Sequence, residues 1–287
     1  MPGQAGDTSG LPLAANHSQE IPMELKKSIL RVANGVFNMV VILLLVISGS
    51  FSAFALWDNQ RIYSAAGDVR ADMIKLKPER TLSEEADTGA DFSELLKVNP
   101  DVCAWLTLDN TEIDYPILRG ETNFTYLNTD VYGNFALAGS IFLDSRSSRD
   151  FTDTVSLVYG HHMADRKMFG DLDLYKDADF FRDNRTGLLI LPDQTYQLEI
   201  IACMLVNASE ENIFEPTRWQ AGNISAFLNF VSQEAIFTHE DGMERLRGAE
   251  EPFKLLCLST CASEFTDART IVLAVMQPYS DGTHYEN

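Results

Sequence analysis

From residue 100 onward, apolar positions come in short runs separated by turn residues such as glycine, proline, asparagine and aspartate. Runs of this length bounded by turn residues predict β-strands. Eight are predicted, over 103–108, 112–118, 139–143, 154–160, 187–191, 195–206, 253–260 and 269–276. Two stretches between them are helical instead. One is 167–182 ("KMFGDLDLYKDADFFR"). The other is about 217–248, where "ISAFLNFVSQEAI" places apolar residues at i, i+3, i+4 and i+7. A short helix through Leu95–Val98 should end at Asn99-Pro100, because proline disfavours helix at the residue before it. Eight short, evenly spaced strands predict a mainly β domain, either a sandwich or a closed barrel.

The N-terminal pattern differs in kind. No residue between Arg31 and Asp58 is charged, and the centre reads "VFNMVVILLLVISGSFSAFALW". Such a run is long enough to cross a hydrocarbon core of about 30 Å as a helix. Lys26, Lys27 and Arg31 precede it, Asp58 follows, and Trp57 stands where an interfacial aromatic is expected, so the positive-inside rule puts the N-terminus in the cytoplasm. A cleaved signal peptide and a buried core helix are the competing readings, but the run exceeds the usual apolar length of a signal peptide. The expected organisation is a cytoplasmic tail over 1–31, a membrane-spanning signal-anchor over 32–57, an extracytoplasmic helical and linker segment over 58–91, and a folded domain over 92–287. Residues 1–22 are small, polar and aperiodic, which predicts disorder. "MELKKSIL" would make a normal start before an anchor, so Met23 is a candidate first residue.

Charge and cysteine content narrow the chemistry. A net charge of −20 argues against a nucleic-acid partner, since no broad basic face is available to neutralise phosphates. Cys103 and Cys203 lie in apolar strand-like runs, where a free cysteine behaves as a small hydrophobe. Cys257 and Cys261 share one extended run and stand roughly 13 Å apart at strand rise, beyond the roughly 7 Å that a disulfide tolerates. There is no C-x-x-C, and no histidine sits at ligand spacing from a cysteine, so a metal site is not expected. "DLDLYKDAD" lacks the glycine and glutamate of a calcium loop, with Lys176 and Arg182 at those positions, and reads as an acidic helix face.

Three features carry possible chemistry. In "SLVYGHHMADRKMFGDL" a predicted strand ends at Gly160, which would place His161 at the rim of the sheet; the ordinary reading of His161 and His162 is a pair of surface histidines. In "LCLSTC" the strand ends at Cys261, a position suited to a nucleophile, although a further buried cysteine fits equally well. Arg269 opens the next strand, and a hairpin-like connection would return it toward Cys261. A guanidinium there would lower a thiol pKa and stabilise an oxyanion, or else would pair with Asp267 or Glu264. Together they supply a nucleophile, an acid/base and an electrostatic stabiliser.

The set resembles the sortases, and within them class B. The resemblance rests on "LSTC" at Cys261, "GH" at His161 and the arginine opening the next strand at Arg269. It is strengthened by "NPDVCAWLTLDNTEIDYPIL", "NFTYLNTDVYGN", "AGSIFLDSR" and "VYGHHMADRKMFGDL", and covers roughly residues 92–277. One departure is Cys103, where an aliphatic residue is more usual. The resemblance implies an eight-stranded closed sortase β-barrel with N-terminal helices and a long helix between strands 6 and 7. It also implies a membrane-anchored cysteine transpeptidase that needs no cofactor and no metal. Cys261 would attack the threonine carbonyl of a C-terminal sorting signal, NPxTN-like or LPxTG-like, and His161 would be the general acid/base. Arg269 would hold the carbonyl and the developing oxyanion. Ser259, Thr260, Asn123 and Leu127 match positions lining the peptide groove, with the 207–217 loop as another wall. The motif places the catalytic histidine directly after glycine, which selects His161 over His162. The partners implied are secreted surface proteins and an acceptor amine, on peptidoglycan or on a pilin lysine. A cell-surface cysteine hydrolase and a catalytically idle binding module are the alternatives.

Overall fold

The computed structural model describes residues 22–83, 86–219, 223–250, 252–260 and 267–279. The chain divides into two units, Met1–Asp58 and Asn59–Asn287. In the first, the predicted apolar segment is helical and belongs to a helix, α1, running over Met23–Ile74. It is long and apolar enough to cross a membrane.

The second unit is the barrel. Its strands are β1 (Val102–Leu108), β2 (Asp114–Leu118), β3 (Ile141–Leu143), β4 (Val155–Gly160), β5 (Thr186–Ile190), β6 (Thr195–Asn207), β7 (Lys254–Thr260) and β8 (Ala268–Pro278). They pair in the order β8-β7-β4-β3-β2-β1-β5-β6, and β6 closes the circle against β8. Each coincides with a predicted run to within about two residues, so hydrophobic pattern plus turn residues located the strands well.

Side chains alternate across the barrel wall. In β7, Leu256 and Leu258 join the interior cluster with Leu106, Ile117, Phe169 and Val272. Leu255 and Cys257 face outward and pack with Phe227, Leu228, Val231 and Met243. The outer layer comes from the chain's short helices. These are α2 (Ser93–Val98), α3 (Ala178–Asp183), α4 (Glu211–Phe214), α5 (Ile224–Glu234) and α6 (Glu240–Arg247). A third cluster joins Met73 near the end of α1 to Leu95, Trp105, Tyr126 and Phe142. Arg70 ties the same helix to Glu112 at 2.7 Å.

Three expectations need correction in detail. The helix predicted over 217–248 is divided: α5 stops at Glu234, Ala235–Thr238 forms a short strand, and α6 follows. The cause is an open edge, since β5 pairs with β6 only over Thr195–Glu199, leaving Ala202–Met204 for "AIFT", whose Ile and Phe suit a strand. The stretch 167–182 is a 3₁₀ turn over Gly170–Lys176 followed by α3, where the Asp177 side chain accepts from the N–H groups of Asp179 and Phe180 and caps the helix. Finally, the segment read as a linker contains two short antiparallel strands, Arg80–Ser83 and Ala86–Ala90.

Gly160 shows how tightly β4 is seated. A Cβ there would stand 2.4 Å from Ile141 Cδ1 and 2.7 Å from Phe169 Cγ, and both neighbours are buried. Overpacking of this kind costs about 1–3 kcal/mol. Gly160→Ala should therefore lower the denaturant midpoint of the purified protein. An unchanged midpoint would show that the β4 rim has more room than the packing indicates.

Candidate active site

Strand register brings the chemistry together. β4 and β7 are parallel, with Cys257 level with Leu157 and Thr260 level with Gly160. Two parallel neighbours about 4.8 Å apart therefore end at the same height, and the next residue on one of them is His161. On the other, the next residue is Cys261, which with 262–266 lies outside the described residues. On its other side β7 runs antiparallel to β8, with Ser259 opposite Ile271. The Thr270 N–H donates to Thr260 Oγ1 at 3.0 Å, so Arg269 sits one residue beyond a bonded pair.

His161 is half-buried, and its Nε2 lies 2.7 Å from the carbonyl oxygen of Leu127. A carbonyl only accepts, so Nε2 carries the hydrogen and, in the neutral ring, Nδ1 keeps the lone pair. The main chain is fixed as well, because the Phe169 N–H donates to the His161 carbonyl at 2.9 Å. The loop between them folds back with positive φ at Asp165, Arg166 and Met168 (57°, 61° and 53°). Non-glycine residues rarely adopt this region, which costs about 1–2 kcal/mol per residue. The strain is held by the Tyr115 hydroxyl, which accepts from Met168 N–H at 3.0 Å.

The Leu127 carbonyl depends in turn on Gly139. That glycine has φ +56°, and a Cβ on it would stand 2.3 Å from the same oxygen. Sequence reasoning passed over Gly139, although a glycine opening a predicted strand was the available signal.

Arg269 is half-buried. Among the described residues its guanidinium pairs with no carboxylate, and Nη1 reaches only the Ala268 carbonyl at 3.5 Å. Asp267, one of its anticipated ion-pair partners, is exposed and makes no such pair; Glu264, the other, lies outside the described residues.

The four groove candidates are placed differently from one another. Leu127 is half-buried beside His161. Ser259 is fully buried, with its hydroxyl directed to the Thr260 carbonyl at 3.1 Å. Thr260 is almost fully buried and holds the Thr270 N–H. Asn123 is committed on both sides: its Nδ2 donates to Asp144 Oδ2 at 2.9 Å, and its Oδ1 accepts from Ser145 N–H at 2.7 Å.

Asp144, which the sequence reading did not single out, anchors this side of the site. It is fully buried and accepts from Asn123, from the Tyr159 hydroxyl at 3.0 Å, and from Arg146 through its backbone and guanidinium. Burial alone would raise its pKa, but the Arg146 and Asn123 hydrogen bonds outweigh it and hold the carboxyl below its usual range. Arg146 then reaches the 207–217 loop, with Nη1 on Glu215 and Nη2 on the Phe214 carbonyl, each at 2.7 Å. The Phe214 ring stacks on Tyr159 at 6.3 Å.

Cys103, Cys203 and Cys257 are buried free thiols, each pushed up to about 12, chiefly by burial. Among the described residues, no group of three His, Cys, Asp or Glu side chains is arranged to hold a metal ion.

No family model matches the chain. It is 30% identical over 227 residues to a sortase B of Listeria monocytogenes, an alignment covering 79% of this chain and 89% of that protein. It also resembles the crystal structure of a Streptococcus pyogenes class B sortase involved in pilus biogenesis, at 35% identity and a TM-score of 0.58, covering 65% of this chain and 98% of the other. A Staphylococcus aureus sortase B–substrate complex matches at 26% identity and a TM-score of 0.56, over 66% of this chain and 85% of that one. Identity at this level over nearly the whole of a relative, on the same closed eight-stranded barrel, places the chain in the class B sortases, and the protein is a sortase-type cysteine transpeptidase.

Proposed function

We propose that this transpeptidase acts from the membrane, anchored by the apolar part of α1 with its N-terminus cytoplasmic, and joins sorting-signal proteins to an extracytoplasmic amine. The observation that carries the reading is the level ending of β4 and β7, with Arg269 one residue beyond the bonded Thr260–Thr270 pair. In the reaction, Cys261 sulfur bonds to the carbonyl carbon of the signal's threonine and the C–N bond to the next residue breaks. His161, carrying on Nδ1 the proton taken from the Cys261 thiol, gives it to the departing amine; Nδ1 is the nitrogen not engaged by Leu127. The incoming amine then bonds to the thioester carbon, gives a proton back to His161 and releases the thiolate. Arg269, unpaired with any carboxylate among the described residues, is available to the oxyanion in both halves.

His162 is unsuited to this role. Its Nε2 is held by Asp173 Oδ2 at 3.1 Å, and the same carboxylate pairs with Lys176 at 2.8 Å. Asp173 raises the His162 pKa above 6.5.

The motif is read as NPxTN-like, from the class B family. The acceptor is a wall-type amine in this reading. The 35% identity to a sortase involved in pilus biogenesis supports a subunit lysine as the second candidate.

Three outcomes are expected. Full-length protein in detergent, given NPxTN-type or LPxTG-type peptide with triglycine or a lysine-bearing peptide, should form an amine-joined product. Cys261→Ala and His161→Ala should each lose about 10³-fold or more, and Arg269→Ala about 10²-fold. Hydrolysed product alone would indicate a hydrolase, and cleavage surviving in Cys261→Ala would overturn the assignment. Second, the three buried thiols should resist iodoacetamide at pH 7.5, so native protein should label at one cysteine and Cys261→Ala at none. Labelling of two or more would contradict this. Third, a histidine whose folded pKa lies above its unfolded value stabilises the fold fully below about 6.5 and progressively less as pH rises through the folded value. His162→Ala should therefore cost more stability at pH 5.5 than at pH 8.5; equal losses would show that the Asp173 pairing does not form in solution.

A further inference from the structure

A polar network lies behind the three proposed catalytic positions, and three of its members each adjoin one of them in the chain. His162 follows His161, Thr260 precedes Cys261, and Thr270 follows Arg269. Asp173, on the 3₁₀ turn Gly170–Lys176, gathers two of the three. Its Oδ2 faces His162 Nε2 at 3.1 Å, and its Oδ1 accepts from Thr270 Oγ1 at 2.6 Å. Thr270 passes the connection on through its N–H to Thr260 Oγ1 at 3.0 Å. Lys176 closes the network from the turn's last residue, 2.8 Å from Asp173 Oδ2.

We infer that Asp173 is a positioning residue: through His162, Thr270 and Thr260 it locks the ends of β4, β7 and β8 into one fixed triangle, so that His161, Cys261 and Arg269 keep reacting distance. This deepens the proposed transpeptidase reading and rests on it.

Chemistry favours a carboxylate at this hub. It must accept from three donors on three segments at once, and an ionised carboxylate offers two oxygens with about four acceptor sites and nothing to donate. The two threonines are almost fully buried, so water does not compete for the bond between them as it would at the surface. The link is also sequence-remote, joining the turn after β4 to the first residues of β8. The start of β8, which carries Arg269, is otherwise paired to β7 and to β6, and the Asp173 link adds a direct tie to the segment after β4. The contribution to rate is one of geometry, and a displacement of about 1 Å at such a site costs up to about 10²-fold.

The hydroxyl of Thr270 allows a clean test. Thr270→Val keeps the branched shape and the backbone N–H to Thr260 but cannot donate to Asp173, whereas Thr270→Ser keeps the donor. Asp173→Ala, on a half-exposed turn, removes the hub, and its denaturant midpoint measured alongside shows whether it is folded at the assay temperature. Steady-state kinetics on the full-length protein, with the sorting peptide that wild type cleaves and triglycine, should show kcat lowered tenfold or more in Thr270→Val and Asp173→Ala. KM should stay within about twofold, and Thr270→Ser should keep at least half the wild-type kcat. Wild-type kcat in both Thr270→Val and Asp173→Ala overturns the inference. So does a Thr270→Ser variant as slow as Thr270→Val, because packing and not the hydrogen bond would then be responsible. Cys261→Ala run alongside separates the two levels. If it retains activity, the active-site reading itself fails; if it is dead while Thr270→Val is unaffected, only the positioning role of Asp173 fails.

Discussion

One parallel pairing governs this molecule. β4 and β7 run side by side within a mostly antiparallel barrel, with Gly160 level with Thr260. Parallel neighbours need a long crossover, and here it runs from His161 to Phe253 and contains α3 to α6 as well as β5 and β6. The pairing therefore brings His161 and the end of β7 to one end of the barrel, where the proposed site lies, and requires a crossover long enough to supply the outer helices. Register is protected by burial on both faces of β7. Leu256 and Leu258 point inward while Leu255 and Cys257 lie beneath α5 and α6. A slip of one residue would exchange these sets, and each side chain forced into packing shaped for another costs about 1–3 kcal/mol. The alignment of His161 with the end of β7 is thus a consequence of core packing.

Around this fixed point the two flanks of the site are stabilised by different means. On the side of Leu127, a glycine with positive φ lets a carbonyl reach the His161 ring, while a strained loop returns Phe169 to hold the His161 main chain. On the side of the 207–217 loop, a buried carboxylate, Asp144, holds Asn123, Tyr159 and Arg146, and the arginine reaches across to Glu215 and Phe214. Both arrangements use polar groups whose partners are far apart in sequence.

That separation explains what was legible beforehand. Strands follow local pattern, so all eight lay within about two residues of their predicted bounds, and Cys257 could be read as a packed residue from its place in an alternating run. His161 and Arg269 stood out as candidates from their places at strand ends. The family resemblance gave them roles and chose His161 over His162, and the register of β4, β7 and β8 brings those two to one end of the barrel. What local pattern could not supply was partnership. Asn123 and Ser259 have the polarity of groove residues, yet one is bonded to Asp144 and Ser145 and the other is fully buried. The break at Ala235–Thr238 depends on an edge of β6 left open by the shorter β5, a tertiary fact invisible in "QEAIFT" itself. Thr260, expected to line the peptide groove, and Thr270, to which the sequence assigned nothing, are linked to Asp173 and His162 by bonds that no local pattern announces.

Cys261 is the proposed nucleophile, the group that would bond to substrate. Intact-mass analysis of the full-length protein, quenched in acid after brief exposure to a sorting peptide without added amine, tests this most directly. The predicted result is an adduct equal in mass to the peptide through its threonine, mapped to Cys261, released by hydroxylamine, and trapped at higher occupancy when the acceptor is withheld than when it is present. An adduct on any other residue, or turnover of the peptide with no Cys261 adduct under any quench, would contradict it.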